Sequence, residues 1–201
     1  MDWYTQTVKT YDDSAAVLAK YFKGIGPRVD DVDRGLQLAN ANTGAQVVEI
    51  GCGDGRDAAE IIKRVSWYQG FDPSNGFLKI AREKLPNASF VIADALTYNY
   101  PHNIDVIYAF ASLLHVNKDD LKKVFEKVAE SLRVGGIFYI SLKEREAYTE
   151  EVKKDEYGER MFYYYNSDLV KQIAGKSFNV VYEDRKKVGK TDWFTIALKK
   201  T

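Results

Sequence analysis

The sequence predicts an α/β fold, and three observations predict it. The β-branched run Val47-Val48-Glu49-Ile50 suits a strand covered on both faces. Glycines at 51, 53 and 55 follow it, then a helical apolar face of Ala58, Ile61, Ile62 and Val65. Strand, glycine turn and helix make a nucleotide-binding corner, because a ligand can approach the free N–H groups of the turn and helix start. Six further strand-like runs follow along the chain, with helical patterns among them.

The corner is not the dinucleotide fingerprint G-x-G-x-x-G, whose third glycine would fall at position 56, here Arg56. Its spacing is G-x-G-x-G, with Glu49 before it and Asp54 within it. Two carboxylates serve a pyrophosphate poorly, whereas a ligand carrying an ammonium and a sulfonium tolerates them. The stretch resembles motif I of the class I S-adenosylmethionine (SAM)-dependent methyltransferases, V-x-E/D-x-G-x-G-x-G. The resemblance implies a three-layer α/β/α sandwich with a seven-stranded, mostly parallel sheet and an antiparallel C-terminal strand. It also implies that SAM is the cofactor, held at Glu49, Gly51 and Gly53.

At 201 residues the chain is long enough for one domain with a sizeable core, and 45% of it is apolar. We expect residues 1–43 to form an N-terminal helical cap of the same domain and 44–201 the SAM-binding core. Lys plus Arg and Asp plus Glu number 29 each. That balance argues against a dedicated nucleic-acid binder. Cys52, the one cysteine, lies inside the glycine turn and has no disulfide partner. No basic-then-apolar leader and no membrane-length apolar run is present, so a soluble cytoplasmic protein is the expectation.

Taken in order, Val17, Leu18, Tyr21, Phe22 and Ile25 predict one face of a helix ending near Gly24-Ile25-Gly26-Pro27. Thr10-Tyr11-Asp12 within that region resembles the segment that covers the SAM pocket in small methyltransferases. Tyr11 is equally an ordinary packing residue. Val32, Leu36 and Ala39 predict a second helix, and Asn42-Thr43-Gly44 turns into the first strand. Trp67–Phe71 is the second strand and ends in Asp72-Pro73. Asp72 lies 21 residues beyond Gly51, a spacing at which a carboxylate can accept both ribose hydroxyls. A helix-start carboxylate is the plainer reading, since Ser74 and the pattern Phe77, Leu78, Ala81, Leu85 begin a helix there. Asp72-Pro73-Ser74 also resembles the second methyltransferase motif.

Phe90-Val91-Ile92 is a third strand ending in Ala93-Asp94-Ala95. The resemblance places the adenine at Asp94 and Ala95. Ile104–Phe110 is a fourth strand, and 111–116 the loop beyond it. In an open α/β sheet the ligand lies outside the carboxyl ends of the strands, so Gly51, Asp72, Asp94 and Phe110 should converge on one crevice. The loop lacks the N/D-P-P-Y/F motif of nucleobase and glutamine amino-methyltransferases. Asn117 caps a helix with Leu121, Val124, Phe125, Val128 and Leu132 on one face. Gly135-Gly136 turns into a fifth strand, Ile137–Leu142, with Val134 where the family's L-x-P-G-G carries proline.

Residues 143–165 are charged, then aromatic, and read as a long connection able to cover the crevice. Asn166-Ser167 starts another helix. Phe178–Tyr182 and Trp193–Leu198 read as the last strands, joined by the basic turn Arg185–Lys190.

The expected chemistry is methyl transfer to a small-molecule oxygen, nitrogen or sulfur acceptor by in-line displacement, with no metal ligands in the chain's pattern. Phe110 or a tyrosine of 163–165 could face the sulfonium. Tyr11, Arg145 and Tyr163 are candidate substrate contacts. His115 is a candidate base, although a helix-start or surface histidine is the preferred reading; His102 reads as exposed. The other readings are a methyltransferase for RNA or protein, a non-catalytic SAM-binding protein and, less favoured, an NAD-dependent oxidoreductase.

Overall fold

Five parallel strands form most of the main sheet in the computed structural model, which describes residues 2–201. They are β1 (Gln46–Ile50), β2 (Trp67–Asp72), β3 (Ser89–Ile92), β4 (Ile104–Phe110) and β5 (Leu132–Lys143). The C-terminal hairpin of β8 (Phe178–Val188) and β9 (Thr191–Lys200) completes seven strands. Their order is β3-β2-β1-β4-β5-β9-β8, and β9 alone runs antiparallel to its neighbours. The order reverses between β1 and β4, which opens a crevice at their carboxyl ends.

The side-chain period of two explains the two cores. Val106, Tyr108 and Phe110 of β4 face one side, with Ile137 and Tyr139 of β5 beside them. Ile107, Ala109, Phe138 and Ile140 face the other. The first face is covered by α2 (Val29–Leu38), α3 (Ala58–Ile61) and α4 (Asn75–Lys84). The second is covered by α5 (Lys118–Ser131) and α6 (Ser167–Ala174). Three layers result. Tyr108 is fully buried because its hydroxyl donates to Val32 O of α2 at 2.6 Å. Caps fall where polar residues stand at helix starts: Ser74 accepts from Phe77 N, Asn117 from Asp119 N and Asp120 N, and Asn166 from Leu169 N.

Four expectations are corrected. The helix at 57–65 is only one turn of α-helix, α3, followed by turns. The last two strands run further than the apolar pattern, so Arg185, Lys186 and Lys187 lie in β8 and the turn is at Gly189-Lys190. Residues 149–164 are not an irregular connection. They form a hairpin of β6 (Thr149–Asp155) and β7 (Gly158–Tyr164), a separate two-stranded sheet. Alternating large side chains bury Arg160, Phe162 and Tyr164 on one face.

The fourth correction concerns α1 (Trp3–Ile25). Val17, Tyr21 and Ile25 are exposed, and the buried face is Thr7, Thr10, Ala15, Leu18 and Ala19, with Phe22 partly covered. The apolar periodicity misleads because a polar row docks the helix. Thr7 accepts from Met161 N at 3.0 Å, Thr10 donates to Glu159 O at 2.7 Å, and Ser14 donates to Tyr157 O at 3.0 Å. Residues 7, 10 and 14 share one helix face. Residues 157, 159 and 161 alternate along the chain, so their polar groups leave on the free edge of the hairpin. At its middle α1 is tied to α4, where Asp12 accepts from Ser74 Oγ at 2.7 Å and Gly76 N at 2.9 Å. Helix α1 thereby roofs the crevice, with the hairpin behind it.

Removing the Asp12 carboxylate should loosen this roof. We expect Asp12→Ala to cost about 1–3 kcal/mol in urea unfolding, the scale of charge-assisted hydrogen bonds, and to speed amide exchange across residues 3–25. Unchanged exchange there would contradict the roles given to Ser74 and Gly76.

Candidate functional site

Gly51 and Gly53 sit at the carboxyl end of β1 with φ of +70° and +54°. A side chain at Gly51 would overlap Ser112, whose hydroxyl donates to Ile50 O at 2.7 Å and locks the β4 loop to the glycine turn. At Gly53 a Cβ would meet nothing within 4 Å. Ala111, beside Ser112, holds φ of +54°, an uncommon conformation for a residue with a side chain. Its N–H donates to Ser141 O at 3.0 Å, which fixes the loop in that shape.

These turns open on one cavity of about 200 Å³. Glu49, Gly51, Gly53, Asp72, Pro73, Asp94, Ala95, Phe110, Tyr11 and His115 all line it. Arg145 and Tyr163 do not. Arg145 pairs with Glu151 and lies over the Tyr164 ring, and Tyr163 stacks on Tyr148. Sequence pattern also missed Tyr4, Thr7, Phe22 and Phe77, which close the cavity from α1 and α4. They carry no motif, and only the docking of α1 brings them in.

Asp72 stands at the head of α4, the plainer of its two readings, and also lines the cavity. Its carboxylate accepts from Gly53 N at 3.0 Å and Ser74 N at 2.9 Å, joining the glycine turn to the start of α4. Burial raises its pKa to about 6 despite those two donors. Glu49 is buried and accepts from the Tyr68 hydroxyl at 2.6 Å; burial, then Asp57, raises it to about 8. Asp94 caps the turn after it, accepting from Leu96 N at 2.7 Å and Thr97 N at 2.9 Å. The Arg28 guanidinium lies 5.2 Å from the centre of the Phe110 ring.

His115 is corrected from a surface histidine to a half-buried one whose ring nitrogens are both engaged. Its Nδ1 lies 2.6 Å from Met161 O, a contact only an N–H can make, so Nε2 is the acceptor. The Tyr11 hydroxyl donates to that Nε2 at 2.7 Å. Burial holds the imidazole neutral, with a pKa lowered to about 3, and Arg160 and Lys143 act in the same direction. His102 is exposed, as expected.

Comparison with known proteins agrees with this geometry. A family model described as a methyltransferase domain matches residues 47–136, from β1 into β5. That match and the fold support a class I SAM-dependent methyltransferase. A trans-aconitate 2-methyltransferase of Afipia carboxidovorans is 34% identical over 101 residues, 48% of this chain and 38% of that protein. The chain therefore spans less than two-fifths of such a relative. An uncharacterised methyltransferase of Geobacillus sp. (strain WCH70) is 23% identical over 97% of this chain and 86% of its own. A SAM-dependent methyltransferase structure from Leishmania major superposes with a TM-score of 0.75 at 17% identity, covering 98% of this chain and 83% of that one.

The crevice fits SAM. Gly53 leaves the backbone bare beside the cavity, and buried carboxylates stand at both ends of the glycine turn. Aromatic rings of Phe22, Phe77 and Phe110 supply apolar walls. Among the described residues no group of three His, Cys, Asp or Glu could hold a metal ion.

Glu49 and Asp72 give a pH signature. An acid whose pKa is higher folded than unfolded keeps its proton in the folded state, so stability falls as pH rises from the unfolded value through the folded one. For these two acids that window runs from about pH 4 to about 8. Glu49→Gln should flatten the fall in urea-unfolding free energy between pH 5 and 8. A slope equal to that of the unsubstituted protein would contradict the burial assigned to Glu49.

Proposed function

We propose that this chain transfers the methyl group of SAM to a small-molecule oxygen, nitrogen or sulfur acceptor. When bound, SAM supplies a methyl on a positively charged sulfur leaving group. The residues of the chain hold it and present the acceptor. Asp72 takes the ribose hydroxyls, since a carboxylate with two N–H donors still has lone pairs on its cavity side. Asp94 and Ala95 take the adenine edge. Glu49 and the bare backbone of Gly51–Gly53 take the amino-acid end, where an ammonium compensates the buried carboxylate. Phe110 offers an aromatic face to the sulfonium.

Tyr11 and His115 occupy the acceptor end. An imidazole with a pKa near 3 is a weak base, so His115 does not strip a proton from an alcohol unaided. It orients the Tyr11 hydroxyl, whose oxygen lone pairs remain free to accept from an N–H or O–H of the acceptor. The pair aligns the nucleophile for in-line attack, which is the main demand of the reaction.

The observation that carries the small-molecule reading is the roof. Helix α1 docks on the β6–β7 hairpin over the acceptor end through hydrogen bonds that Thr10 and Ser14 donate and Thr7 accepts. A roof of this kind favours a small acceptor over a base in a polynucleotide or a side chain on a folded protein. Arg185, Lys186 and Lys187 of the basic run lie on β8, at the sheet edge beyond β9. Arg185 is paired with Glu144 and Glu183, and Lys187 approaches Asp192.

Incubation with labelled SAM and a panel of small amines, alcohols, thiols and carboxylic acids tests the reading. Label should pass to at least one of them. With that acceptor, Tyr11→Phe should lower kcat/KM about 10- to 100-fold through lost alignment while affinity for S-adenosylhomocysteine (SAH) stays the same. Tight SAH binding without transfer to any member would favour a non-catalytic SAM-binding protein. Methylation of added RNA or protein in preference to the panel would overturn the small-molecule reading.

A further inference from the structure

Three cations on the inner face of the hairpin are not used by the cofactor site. Lys153 of β6 stands directly opposite Arg160 of β7 in the ladder. Like charges in that register repel. Lys143, at the end of β5, places its ammonium 3.9 Å from the centre of the Phe162 ring. The Lys153 ammonium and the Arg160 guanidinium lie 5.9 and 5.5 Å from the same ring. One phenyl ring is thus ringed by three positive groups.

Carboxylates on the hairpin neutralise only one of them: Asp155 pairs with Arg160, and Glu151 with Arg145. Neither ammonium, Lys143 nor Lys153, has an ion pair or hydrogen bond among the described residues. Two positive charges remain uncompensated on one half-buried face. Arg160 adds an independent sign. It is only 7% exposed, and its Nε is buried with no hydrogen-bond partner. A buried guanidinium N–H without an acceptor is a costly arrangement, and a ligand oxygen relieves it.

The cluster lies behind the acceptor end. The Arg160 guanidinium is 5.2 Å from the centre of the Tyr11 ring, and the rings of Phe162 and His115 are 4.7 Å apart. Tyr11 and His115 therefore separate the cations from the cavity by one layer of side chains.

We propose that Lys143, Lys153 and Arg160 form an oxyanion-binding site that takes the carboxylate or phosphate group of the acceptor. The proposal rests on the methyl-transfer reading for the word acceptor, but the site itself stands on the hairpin. Arg160 Nε supplies a directional donor, and the two ammonium groups supply charge from either side of Phe162. Burial and the neighbouring Lys153 and Arg160 already lower the Lys143 pKa to about 8, and a bound oxyanion removes that repulsion. An acceptor anchored there by its negative end lies one side-chain layer from the cavity, so the distance between its oxyanion and its nucleophile becomes the basis of selection.

Calorimetry at low salt with inorganic phosphate and with succinate tests this. At least one probe should bind the unsubstituted protein, and K143M and K153Q should each weaken it roughly tenfold or more, the loss of a charge-assisted contact. SAH affinity should be unchanged in both variants, which separates this outcome from a failure of the cofactor site. Preference for phosphate or for succinate identifies the source of the oxyanion, and either supports the site. Neither probe binding, or both variants binding like the unsubstituted protein, would overturn it.

Discussion

One buried carboxylate holds the functional end of this molecule together. Asp72 ends β2 and receives N–H groups from Gly53 of the glycine turn and Ser74 at the head of α4. Three elements therefore meet at one charge. Burial opposes that charge and raises its pKa, while the two donors limit the rise. A carboxylate held so close to neutrality is prepared for a ligand that brings further hydroxyl donors. The same contacts fix Ser74, which in turn receives α1 through Asp12. Cofactor site and roof are thus coupled through two adjacent hydrogen-bonding residues.

The roof is the part of the structure that gives this methyltransferase its individuality. The main sheet presents the same crevice that its topology generates in any such fold. The acceptor end is instead built by two additions, α1 from before the sheet and the hairpin inserted after β5. They meet through hydroxyls and backbone edges, not through a large apolar contact. Such an interface leaves each side capable of separate motion, since few buried apolar groups would be exposed by opening.

Much of the fold was legible in the sequence because the parallel strands are buried on both faces and read as continuous apolar runs. The glycine turn and Asp72 were legible because backbone geometry and spacing constrain them directly. Elsewhere the pattern failed for identifiable reasons. Helix α1 docks by Thr7, Thr10 and Ser14, so its apolar residues Val17, Tyr21 and Ile25 point to solvent. The hairpin strands carry charges at inward positions such as Lys153 and Arg160, which hides their alternation. His115 is half-buried by Phe162 and Tyr11, residues distant in sequence, and its environment depends on both additions. Arg145 and Tyr163 looked equivalent to their neighbours, yet alternation along β7 turns Tyr163 away from the cavity and Arg145 is drawn to Glu151. Local pattern records the sheet well and the roof poorly, because the roof is assembled from long-range polar contacts.

The central claim is that the crevice beside Asp72 holds the nucleoside of SAM. Titration calorimetry with SAH, comparing the unsubstituted protein with Asp72→Ala of matched fold, tests it most directly. The account predicts measurable binding that weakens by about tenfold or more in the variant, the loss of hydrogen bonds to a charged group. Absence of heat with the unsubstituted protein, or equal affinity in the two, would contradict it.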